Sequence, residues 1–201
     1  MMGTALSRWT MASFAAALAF LLGALALMVA GYGFPAADIR APETLVVVHM
    51  VTIGWLSLLL VGALFQFVPV LVARPLLYEG LALPSLLALI GGLACLLCGF
   101  FHLAAGDGAA VPLLALAAIL LPAGFGLAVF VLGASLWRAR PLPLPARFVA
   151  VGLASLAATA AFGALFSLAL AGFVSAPLLL DLHAAGIPVH AAAGFGGWLT
   201  F

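Results

Sequence analysis

Five uninterrupted apolar runs constrain this chain before any other feature does: about 10–32, 44–72, 81–104, 111–137 and 147–173. A hydrocarbon core of about 30 Å takes about 20 helical residues to cross, and each run supplies them. The composition agrees, with 68% hydrophobic and 5% charged residues, too little polarity to coat a soluble fold. The chain therefore reads as an all-α, polytopic transmembrane helix bundle. A sixth apolar run begins near Ile187 and reaches Phe201, about 15 residues, short for a span. That shortness predicts about six helices with the last one truncated, in a fragment or front part of a longer membrane protein. The run after Arg8 exceeds the roughly 7–15 residues of a signal-peptide core and reads as a retained helix.

The connecting segments carry the prolines, glycines and charges. Alternating the sides of successive loops puts Arg8, Arg74, Arg138, Arg140 and Arg147 at one end. Asp38, Glu43, Asp107 and Asp181 fall at the other, with Arg40 as the one arginine there. The positive-inside rule then predicts a cytoplasmic N-terminus. A net charge of +1 gives nucleic acid nothing to bind, and the absence of lysine excludes Schiff-base chemistry. Cys95 and Cys98 lie midway along an apolar run and read as small packing residues. No nucleophilic triad, phosphate loop or zincin motif is present.

All four histidines fall at the outer end under this topology. His49 is expected about two turns into the second helix, and His190 in the first turn of the sixth. Each is followed by a Gly-Trp pair, Gly54-Trp55 and Gly197-Trp198, a loose internal repeat. An imidazole inside a bilayer is costly and is a functional candidate by default. At about 100° per residue His49 shares a face with Ile53, Leu56, Leu60 and Phe67, with Thr52 at its edge. Gly54, Leu58, Gly62 and Gln66 form a different face, where small residues allow a neighbouring helix to close in. An imidazole in an apolar wall is what a porphyrin needs, since its metal takes a nitrogen and its rim takes hydrocarbon. His49 and His190 are the expected cofactor ligands. His102 and His183 complete the candidate metal ligands, at loop sites where water or backbone satisfies an imidazole equally well. Gly186 and Pro188 place His183 in the loop before the sixth helix. Gln66 lies roughly 25 Å along the helix from His49 and belongs to no shared site.

At HMVTIGWLSLLLVGALFQFVPV the chain resembles subunit I of the haem-copper oxidase superfamily. The resemblance covers topology over most of the chain, with a second, looser segment at GIPVHAAAGFGGW. It implies four-helix arcs: a first transmembrane unit over 1–137, and the start of a second over 138–201 with two helices, the last incomplete. It implies His49 as an axial ligand of haem b and His190 as a second haem or metal ligand, with copper as a further metal. The oxidases follow their helix-six histidine with a motif ending in a cross-linking tyrosine, whereas His190 is followed by Ala-Ala-Ala-Gly. That departure removes the assignment of oxygen reduction. It points to a divergent relative, such as the haem- and copper-containing membrane proteins of the nitric-oxide stress response. The implied function is electron transfer or handling of a diatomic gas in a bacterial inner membrane, among lipid, other membrane helices or oxidase-like subunits. Two other classes stay open: a small-solute permease built on a four-helix repeat, and a non-catalytic assembly subunit.

Overall fold

The structure is a computed structural model that describes residues 7–174 and 176–200, without the side chains of residues 178–180 and 182–184. Every regular element among the described residues is helical: α1 (Arg8–Val29), α2 (Pro42–His49), α3 (Leu58–Val72), α4 (Ala82–Ala104), α5 (Ala110–Arg138), α6 (Leu144–Leu170) and α7 (Pro177–Ala192). A π-helical segment, Met50–Ser57, joins α2 to α3, and a second, Ala193–Trp198, continues α7. Five stretches are long and apolar enough to cross a membrane: Arg8–Val29, Pro42–Val72, Glu79–Ala104, Ala110–Arg138 and Leu144–Leu170. The chain is a multi-pass membrane protein.

Local chemistry explains the boundaries. Ser7 caps α1, its hydroxyl accepting from the Thr10 N–H at 3.1 Å. Pro42 opens α2, where a first turn has no use for the missing N–H. The α3 helix ends at Ala73, which takes the left-handed conformation at φ 51°.

Helix contacts are made backbone-close by small residues, the usual solution where lipid gives no hydrophobic drive between helices. Between α4 and α5, a Cβ on Gly92 would sit 2.8 Å from the Leu121 nitrogen, and one on Gly124 would sit 2.9 Å from that of Leu89. Ser85 crosses the same seam, donating to the Gly124 carbonyl at 2.8 Å. The expected small-residue face of the second span packs on α1. A Cβ on Gly54 would meet Phe20 at 2.7 Å, and one on Gly62 would meet Ser13 at 2.6 Å. Thr10 completes that contact by donating to the Gly62 carbonyl at 3.1 Å.

Two expectations need correction. The sixth helix starts at Pro177, ten residues before Ile187. Gly186 and Pro188 lie inside it, so the residue His183 belongs to α7 and not to a loop; its side chain lies outside the described set. Gly186 is buried because Phe166 covers it, and a proline is tolerated within a membrane helix where neighbours re-satisfy the freed carbonyl. His190 consequently stands nearly four turns into its helix. With 16 residues of α-helix and six of π-helix, the sixth helical stretch also exceeds the length expected of it. The second correction concerns periodicity: the π segment interrupts the 100° repeat, and Leu56, Leu60 and Phe67 leave the His49 face.

The α1 seam yields a paired test. Gly62→Val forces a methyl group into Ser13 and is expected to cost about 1–3 kcal/mol. Gly126→Ala on α5 meets nothing within 4 Å and should be neutral or stabilising by up to about 1 kcal/mol. Thermal unfolding of both variants in detergent checks the contrast.

Candidate functional site

The second and sixth helical stretches meet across a cavity of about 280 Å³ whose walls also include α4, α5 and α6. His49 and His190 both line it. The remaining lining is almost wholly apolar, with Leu96, Phe100, Leu121, Phe125 and Leu156 prominent and no carboxylate or arginine among the described residues. Both imidazoles are half-buried.

The two rings are held in the same way. His49 Nδ1 donates to the Leu45 carbonyl at 2.8 Å, one turn earlier on its own helix. His190 Nδ1 donates to the Thr159 carbonyl of α6 at 3.0 Å. A carbonyl only accepts, so each bond requires the proton on Nδ1 and leaves the lone pair on Nε2. Neither Nε2 has a hydrogen-bond partner among the described residues. Aromatic rings brace both imidazoles: Phe100 lies 5.4 Å from His49, and Phe166 lies 5.4 Å from His190 in an edge-on arrangement. Gly163 makes the second contact feasible, since a Cβ there would approach His190 Cε1 at 3.3 Å.

Each histidine is followed by a π-helical segment, a form that usually appears as a single wide turn at a functional site. The two segments close alike. Ser57 donates to the Thr52 carbonyl five residues back at 2.7 Å, and Thr200 donates to the Phe195 carbonyl, also five back, at 2.7 Å. The segments then meet: Trp198 Nε1 donates to the Ser57 hydroxyl at 3.0 Å, with both side chains buried. Sequence reasoning noticed Gly-Trp and missed that the match runs on, as Gly54-Trp55-Leu56-Ser57 and Gly197-Trp198-Leu199-Thr200. The hydroxyl in the fourth place was the available signal. Thr159 and Gly163 carried none, because their role comes from a helix distant in sequence.

The other histidine with a described side chain stands apart. His102 is exposed at the end of α4 and bonds Asp107 through Nδ1 at 2.9 Å, outside the cavity lining. The Ala109 N–H, with help from His102, holds the Asp107 carboxyl below its ordinary range. Gln66 lies at the opposite end of the second span, where its side-chain oxygen accepts from the Ser7 N–H at 3.3 Å. Among the described residues no three His, Cys, Asp or Glu side chains cluster as a metal site. Cys95 is half-buried, Cys98 is exposed, and both are free thiols.

Compared with protein-family models, with curated proteins and with solved structures, the chain finds no match in any of the three.

The joint between the π segments is open to a direct test. Ser57→Ala strands the buried Trp198 N–H and is expected to cost about 1–3 kcal/mol, whereas Ser57→Thr keeps the acceptor and most of the stability. Chemical unfolding in detergent distinguishes the two.

Proposed function

We propose that this membrane protein binds haem b, with His49 as an axial ligand and His190 as a second haem or metal ligand, and serves electron transfer or the handling of a diatomic gas. One observation carries the reading. Two imidazoles line one apolar cavity, each with Nδ1 tied to a backbone carbonyl and Nε2 free to coordinate. Metal-bound histidines characteristically donate their other nitrogen in this way, which fixes the tautomer and raises ligand basicity. The donor set fits a haem better than a closed metal site. A structural zinc takes four protein ligands and a catalytic one three, whereas a haem takes one or two and needs hydrocarbon around its rim. The resemblance of the His49 segment to haem-copper oxidase subunit I favours the same cofactor.

When bound, haem supplies a one-electron couple and an iron position where a diatomic gas can coordinate. The chain's own residues do the rest. Leu45 and Thr159 hold the rings in register through their carbonyls, and Phe100 and Phe166 restrict ring rotation. The apolar lining would keep water from a bound cofactor and strengthen each interaction that remains. Placement in a bacterial inner membrane, with the arginine-rich end toward the cytoplasm, belongs to the same proposal.

The permease reading has one feature in its favour: Pro122 and both π segments put irregular backbone beside the cavity, as at transporter sites near the midplane. The absence of any charged group from the described lining weighs against it.

Purified protein from haem-replete cells should show a Soret band and a reduced-minus-oxidised difference spectrum. Both should fall at least tenfold in His49→Ala and stay unchanged in His102→Ala. A colourless wild type that transports a solute independently of His49 would replace this reading with the permease. Gly163→Val, which crowds His190 off the Thr159 carbonyl, should weaken haem retention about 10–100-fold while His49 remains in place.

A further inference from the structure

The arginine-rich end of the bundle holds a second concavity, unrelated to the histidines. A groove of about 280 Å³ runs between α5 and α6, floored by Gly133, Ala150, Ala154 and Ala157, with Trp137 and Arg140 at its mouth. Its far end is Val129, so along α5, from Val129 to Trp137, it extends about 12 Å at 1.5 Å per residue. One leaflet of a 30 Å core is about 15 Å deep. The groove therefore covers most of the depth of a single acyl layer, and it opens where two membrane spans face lipid. Ala154 and Ala157 are exposed along it, and a Cβ on Gly133 would meet nothing within 4 Å.

The charge at the mouth is one-sided. Arg138 at the end of α5, Arg140 in the α5–α6 connection and Arg147 in the first turn of α6 are all exposed, with no carboxylate between them in sequence. Loop alternation puts Glu79 at this end as well, in the connection between α3 and α4. No arginine makes an ion pair among the described residues. The Arg147 side chain donates to the Leu142 carbonyl at 3.0 Å, which fixes the loop beside the groove. The Arg140 guanidinium lies 3.5 Å over the Trp137 ring, an exposed indole of the kind that marks headgroup level. Basic pockets between membrane helices at this level suit anionic headgroups.

We propose that this groove is a binding site for one anionic phospholipid, with an acyl chain along Gly133, Ala154 and Ala157 and the phosphate at Arg140. The headgroup supplies the negative charge that the stretch from Arg138 to Arg147 lacks, and the chain supplies the apolar slot that a free phosphate would not need.

The test uses the full chain in detergent, with native mass spectrometry during titration by phosphatidylglycerol or phosphatidylcholine of equal chain length. Wild type should retain one phosphatidylglycerol about fivefold more tightly than phosphatidylcholine. Arg140→Gln should bring the two lipids within twofold of each other. Gly133→Leu, which projects a side chain into the slot from a position where a Cβ meets nothing within 4 Å, should weaken both at least fivefold; Ala154→Leu repeats this from α6. Unchanged melting temperatures establish that the variants fold. Equal retention of both lipids by wild type overturns the proposal. So does phosphatidylglycerol binding that the slot variants leave intact, since surface charge alone then accounts for it. Displacement of the lipid by millimolar inorganic phosphate would assign the site to the bare anion and overturn it too.

Discussion

In an apolar medium each backbone N–H and carbonyl must find its partner inside the protein, because no water is there to take one. The architecture follows from that requirement. It makes each membrane-crossing stretch helical, and it makes any departure from the α register conspicuous. The departures at Met50–Ser57 and Ala193–Trp198 are each closed by a hydroxyl reaching five residues back, at Ser57 and at Thr200. Ser85 and Ser167 answer to the same constraint, donating across helices to the Gly124 and Leu114 carbonyls. Polar side chains here serve the backbone first.

The histidines use the same currency in reverse. A carbonyl that already belongs to a helix accepts a second bond from an imidazole, and the ring is fixed without any charged neighbour. This explains how a cavity lined by hydrocarbon can present two oriented nitrogens. A carboxylate serves instead outside the spans, where Asp107 accepts from the Ala109 N–H and meets His102.

The spans were legible in the sequence because apolar length is a one-dimensional property, and five runs give five spans. The position of His49 about two turns into its helix and the Gly54–Gly62 face were legible for the same reason, since both lie within one helical stretch. The start of the sixth helix was not. Gly186 and Pro188 carry turn chemistry in water, but here Phe166 covers the glycine and the bundle accommodates the proline. The cavity face beyond Ile53 was misjudged because a fixed 100° step cannot represent a π turn. Thr159 and Gly163 were invisible because their importance exists only once α6 lies beside α7.

The two π segments have a consequence for how such a chain tolerates length changes. Each wide turn holds surplus backbone relative to an α-helix of the same span. Deleting one residue between Met50 and Ser57 would let the helix relax into ordinary α geometry while preserving every backbone bond. It would also turn everything on α3 by roughly a quarter revolution or more against His49. The helix would survive and the wall would not. The surplus residue thus works as a gear tooth, keeping two faces of one helix in a phase that regular winding would not give them.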